Sequence, residues 1–302
     1  MSEHNVARQA VRAEPLSHSQ NESQSKSIND TQTMRKSSSN LAARVLNGSV
    51  ISWWLLALIG QWLFASYIAV RYGGPVLGGN YAAVNQGDHI MGYQPGATTH
   101  NLMYFSHILP AILLSICGVL QLIPQIRQKL PVLHRWNGRV FMLLGISGAL
   151  TGLYLTWISG SRLSTIGAIG ITLNGLLIPL AIVLAWRYAV ARNFTAHRRF
   201  AVHSFLLVNG VWSFRLYLYG WFVLNQGPNG NTGYLDGPAD IFFSFACYVI
   251  PMLVAELVFW GQRQTSSGRK WWVAGVMTIG ALLTLVGIVA VTMATWWPVI
   301  RG

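Results

Sequence analysis

VISWWLLALIGQWLFASYIAV, residues 50–70, carries no charged side chain over 21 positions. A helix needs about 20 mostly apolar residues to cross about 30 Å of hydrocarbon, at about 1.5 Å per residue, so this run is long enough to span. Six further stretches pass the same test, over 101–123, 140–159, 166–188, 200–224, 240–261 and 271–295. The reading is an all-α polytopic bundle of seven transmembrane helices. Composition agrees: 52% of the 302 residues are hydrophobic and only 10% charged, as in a chain whose solvent is the bilayer.

Loop charge orients the bundle. With the amino terminus in the cytoplasm, the inward connections hold Arg127, Lys129, Arg135 and Arg139, then Arg187, Arg192, Arg198 and Arg199, then Arg263, Arg269 and Lys270. The outward side holds Arg71, Arg162 and Arg301. Eleven against three, alternating over every loop, places the carboxyl terminus outside and the protein in the cell (inner or plasma) membrane. The net charge of +13 follows from this sorting, so no nucleic-acid partner is called for. Tryptophan marks the same interfaces: Trp53, Trp54, Trp136, Trp186, Trp260, Trp271 and Trp272 at inner helix ends, Trp157, Trp221, Trp296 and Trp297 at outer ones. Trp62 and Trp212 lie deeper and read as packing residues.

Residues 1–48 are rich in Ser, Gln and Asn and lack an apolar run, which reads as a disordered cytoplasmic tail before a transmembrane domain over 49–302. A leader's short apolar core would lie near Met1; the first run here starts near Val50 and reads as an anchor that stays. Cys117 and Cys247 both fall in apolar runs and imply packed thiols without a disulfide. Gly145, Gly148 and Gly152 give the third stretch a close-packing face. The outward segments 71–100 and 225–239, rich in Gly, Pro and Asn, read either as a lid or as plain loops.

Polar groups inside hydrocarbon are costly, so the few present locate candidate chemistry. His100, Tyr104 and His107 stand at i, i+4 and i+7 of the second stretch, on one helical face. Arg215 in the fifth stretch lies at a similar depth, which suggests an outer pocket lined by His107, Arg215 and Tyr104, with Asp240 as a further candidate. At the inner side, His134-Arg135-Trp136-Asn137-Gly138-Arg139 and His197-Arg198-Arg199 open the third and fifth stretches. Glu256 is the only acid inside a span. A buried carboxylate needs a cation, so Glu256 is expected to pair with Arg139, Arg199 or His203. The inner network is then His134, Arg139, His197, Arg199, His203 and Glu256. These clusters read equally as a solvated basic face against anionic headgroups.

Metal signals are sparse. His134 and His197 share a depth and are candidate haem ligands, whereas His107 and His203 are too far apart in depth for one iron. His89 and His100 with Asp88 form a possible outer metal set. There is no HExxH pattern, cysteine cluster or Gly-rich phosphate loop.

In these residues the chain resembles the bacterial multi-pass membrane family known as domain of unknown function 2306. The resemblance runs over about residues 100–260. It rests on His107, His134-Arg135-x-x-Gly138-Arg139, His197-Arg198-Arg199, Phe214-Arg215-Leu216-Tyr217 and the run 251–256 ending in Glu256. It implies a topology and a shared polar set, with no activity attached. The family pattern has Trp after the second His-Arg-Arg and Arg three residues later, where this chain has Phe200 and His203. If that Arg partners the family's sixth-helix Glu, His203 makes the pair pH-sensitive here.

Three functional expectations follow. The first is a bundle that binds a small cofactor or substrate, in its most concrete form b-type haem or a quinone-linked electron carrier. The second is a proton-coupled small-molecule transporter titrating Glu256 and His203. The third is a non-catalytic assembly or signalling component.

Overall fold

The computed structural model describes residues 18–86 and 92–302, and the elements among them are helices, with no strand. The main ones are α1 (His18–Ile68), α2 (Thr98–Ile108), α3 (Pro110–Gln121), α4 (Pro124–Lys129), α5 (Pro131–Trp157), α6 (Thr165–Val190), α7 (Phe194–Val208), α8 (Gly210–Leu224), α9 (Pro238–Arg263) and α10 (Ser267–Val291). Among the described residues six helices are long and apolar enough to cross a membrane, three of them running through short irregular turns: Ser38–Leu77, Thr98–Gln121 and Ser267–Ile300. The expected fifth stretch is α7 and α8, 15 residues each, so neither reaches that length alone. Inner and outer ends below follow the loop charges.

α1 starts well before the expected boundary. Ala42 and Leu46 are fully buried, Leu46 against Val258, Val273 and Ala274, so the boundary at residue 48 falls inside a packed helix. Mean hydropathy misses this because the apolar residues form only a stripe there, at i and i+4. Residues 1–17 of the expected tail lie outside the described residues.

Helices α7 and α8 join at Asn209 in the middle of the bundle, where polar side chains serve the bend. The Asn209 side-chain amide donates to the Phe205 carbonyl at 2.7 Å, and Gln61 of α1 donates to Asn209 Oδ1 at 2.7 Å. From the other side Asn174 of α6 donates to the Leu207 carbonyl at 3.1 Å. A Cβ at Gly210 would lie 2.5 Å from Asn174 Nδ2, so only glycine fits beside that amide. Carbonyls freed by a bend in hydrocarbon need such donors. Asn174→Leu should therefore lower the unfolding free energy by about 1–2 kcal/mol, read as a fall in thermal midpoint in detergent. An unchanged midpoint would mean the Leu207 carbonyl finds another donor.

The packing order closes a ring: α10 on α1, α1 on α3, α3 on α5, α5 on α6, α6 on α7, and α8 back on α10. α9 lies against α6, α8 and α10. Trp212 is buried in the core with Phe64, Leu216 and Ile288, whereas Trp62 is 49% exposed and faces outward, contrary to its expected packing role. Trp62 lies about 100° around α1 from Gln61, the residue that points inward.

The outer segments are packed down. Arg71 donates to the carbonyls of Ala83, Val84 and Gln86, and Asn85 bonds to Gly92 and Tyr93. Val84 is buried against Tyr104 and Leu155. Asp240, fully buried, accepts from Asn231, Thr232 N and Gly237 N, tying the second outer loop to the start of α9.

Candidate functional site

A cleft of about 2250 Å³, partly open to the surroundings, runs from the inner end of the bundle to the outer part of α8. Its mouth is set by the loop before α5 and the start of α7, which bring Arg127, Arg135, Arg139, Arg192, Arg198 and Arg199 to one rim beside His134 and His197. Among the described residues no aspartate or glutamate lines it. Polar contacts brace the rim: Gln121 donates to the His134 carbonyl at 3.0 Å and Asn137 to the Cys117 carbonyl at 2.9 Å, clamping α5 to α3. Arg139 lies over the Trp136 ring at 4.8 Å, and Arg198 over Phe259 at 5.4 Å with a bond to Gln262.

Glu256 is taken up elsewhere. Its Oε1 accepts from Arg199 Nε and His203 Nε2, both at 2.6 Å, joining α7 to α9. His203 Nδ1 is buried without a partner, so the network places the proton on Nε2. Arg139 is not part of this cluster. Among the described residues no carboxylate pairs with Arg127, Arg135, Arg139, Arg192 or Arg198, and the rim stays cationic.

The cavity continues outward as an apolar groove. α9 and α10 meet closely near their inner ends, where a Cβ at Gly261 would lie 2.9 Å from Val273. Farther out, Phe242 and Ile250 of α9 and Leu283 of α10 line the groove, and Trp212, Leu216 and Trp221 of α8 form its floor. Phe242 and Leu283 are 59% and 52% exposed, so the groove opens sideways toward lipid.

The imidazoles differ in preparation. His197 Nδ1–H donates to the Ala185 carbonyl at 2.9 Å, leaving Nε2 with its lone pair, whereas His134 Nδ1 is buried without a partner. An axial histidine normally has its second nitrogen held by an acceptor. His197 meets that condition and His134 does not. Among the described residues no group of three His, Cys, Asp or Glu forms a metal set. His89 and Asp88 lie outside those residues, and His100 is engaged by the Ser159 hydroxyl and the Gly92 carbonyl.

On the outer side, His107 Nδ1–H donates to the Gly148 carbonyl at 2.9 Å and reaches Thr151 Oγ1 at 3.1 Å. Its ring lies on Gly152, where a Cβ would stand 2.8 Å from it, so the glycine face of α5 seats a histidine. Arg215 donates to the Val211 carbonyl at 3.1 Å and stands over the Phe64 ring at 5.5 Å. Tyr104 is buried with Val84 and Leu155 under the first outer loop, and Asp240 belongs to the second loop. The partners of Asp240 are the loop groups Asn231, Thr232 and Gly237.

Sequence reasoning took Arg127 and Arg192 as topology signals only, placed Arg135 and Arg198 in the inner basic clusters without joining them to a cavity, and did not find the groove. The readable signal was the lack of acids beside so many arginines.

Fold and site define a multi-pass α-helical membrane protein with an arginine-rimmed internal cavity. The family described as predicted membrane protein (DUF2306) matches residues 104–259, just over half of the chain, and the chain belongs to it. His107, His134, Arg139, His197, Arg199, His203, Arg215 and Glu256 all fall inside that range. No curated protein and no solved structure matches.

Proposed function

We propose that the protein binds an amphipathic anion inside its helix bundle, with the acidic group at the cytoplasmic rim and the apolar part in the groove, in the cell's bounding membrane. The supporting observation is one cavity whose rim is cationic and free of acids and whose continuation is apolar. Guanidinium groups recognise carboxylate and phosphate by paired N–H donors, while an apolar wall selects the remainder of the molecule. A quinone head has no charge to match this rim. Haem has two carboxylates and fits the charge, but with only His197 prepared as a ligand, the geometry favours the broader reading.

Native mass spectrometry of gently extracted protein is expected to retain an anionic amphiphile, lost in Arg135→Gln/Arg198→Gln. A bare protein mass for the wild type would overturn the proposal. The same sample reports on haem: a Soret band that disappears in His197→Ala would make haem the amphiphile, and a colourless sample with an organic adduct would support the wider class.

The shared carboxylate of Glu256 favours a second reading, in which the ligand moves with a proton. Glutamine keeps the shape and one acceptor of Glu256 but not its charge. In proteoliposomes carrying a pH dye, proton movement on adding dodecyl phosphate is expected to fall about tenfold or more in Glu256→Gln, the range of general acid–base contributions. Equal rates in both proteins would remove Glu256 from any proton path.

A further inference from the structure

We propose that the ligand of the inner cavity is a lipid phosphate, with its head among Arg127, Arg135 and Arg198 and its acyl or isoprenoid chain in the groove floored by α8. The inference rests on the amphipathic-anion reading and narrows it to one acid group and one kind of apolar body.

The rim selects the head. Among the described residues it presents arginines without a lysine or an acid, and Glu256 is already bound to Arg199 and His203. A carboxylate offers one charge and two oxygens. A phosphate monoester carries about −1.5 to −2 at neutral pH and three acceptor oxygens, enough to engage several guanidiniums at once. Lysine serves phosphate as a point charge, whereas a rim of arginines is built for paired contacts.

The groove selects the chain. It runs from Arg198 on α7 to Trp221 on α8, at most about 35 Å at about 1.5 Å per residue since the two helices meet at a bend, on the scale of the hydrocarbon thickness. A compact anion has no use for such a length. Its side opening between Phe242 and Leu283 lets a chain enter from the bilayer without passing through water. Gly280 lines this groove, and a Cβ there meets no atom within 4 Å, so the space beside it is open.

The test uses the full chain in phosphatidylcholine nanodiscs and its tryptophan fluorescence, the share of Trp212 and Trp221 being the signal lost in Trp212→Phe/Trp221→Phe. Dibromo-phosphatidate is expected to quench well beyond an equal amount of dibromo-phosphatidylcholine. The excess should weaken about tenfold for each guanidinium lost in Arg135→Gln and Arg198→Gln, and return in part with lysine at both positions. Gly280→Phe, which fills the groove and leaves the rim intact, should also remove it. Dodecyl phosphate should compete and inorganic phosphate should not. Equal quenching by the two brominated lipids would overturn the proposal. So would inorganic phosphate competing as well as dodecyl phosphate with Gly280→Phe silent, which would mark a free-phosphate site. Quenching by dibromostearate alone would end the phosphate inference and leave the amphipathic-anion reading standing. Quenching by neither anion would end both.

Discussion

Gly287→Leu is expected to destabilise the bundle by about 3 kcal/mol, at the upper end of what overpacking costs, and to lower the yield of monodisperse protein. The cause is backbone against backbone. A Cβ at position 287 would lie 2.6 Å from the Leu216 carbonyl oxygen and 2.8 Å from Leu216 Cβ, on the helix that α10 must touch to close the ring. A side chain could rotate away, but a carbonyl on α8 moves only with its helix, and that shift would also disturb Trp212 and Leu216 in the core with Phe64 and Ile288. Gly280→Leu, two turns earlier on α10 and facing open space, should stay within about 0.5 kcal/mol of wild type. Thermal midpoints by size-exclusion recovery separate the two. Equal losses would mean that α8 and α10 do not meet at Gly287.

The second large effect concerns binding. Arg135→Glu combined with Arg198→Glu is expected to weaken retention of an anionic amphiphile by about 100-fold or more. Each charge-assisted hydrogen bond contributes about 1.5–3 kcal/mol, and an acid in its place adds repulsion. The fold should survive, because both residues lie at the rim; among the described residues Arg198 bonds to the Gln262 side chain and stands over Phe259. Retention measured by mass spectrometry against the thermal midpoint distinguishes lost binding from lost structure. Unchanged retention would move the ligand away from the rim.

Hydropathy and loop charge were enough to read an all-helical membrane bundle, because apolar runs such as 50–70 have no alternative burial. They were blind where polarity serves packing. Nothing in the apolar runs singled out Asn174, Gln61 and Asn209, yet together they satisfy the bend between α7 and α8, a relation between three distant segments. The same limit hid the start of the packed helix at Ala42 and Leu46, where a narrow stripe carries the contact.

For the site, residue type was more legible than partnership. A lone membrane carboxylate must find a cation, and Glu256 sits with Arg199 and His203, while Arg139 goes to Trp136. Equal depth suggested a pocket between His107 and Arg215, with Tyr104 and Asp240 as further candidates, but depth does not fix direction around a helix, and Asp240 is taken up by the second outer loop. The groove could not be read at all, since its walls are ordinary lipid-facing residues such as Phe242 and Leu283.

A density map of the purified protein crystallised in a lipid mesophase tests the central claim most directly. The account predicts continuous non-protein density, its compact end between Arg135 and Arg198 and its length along Leu216 and Trp221. A cavity closed by its own side chains, or those arginines turned away from it toward bulk water, would contradict the account.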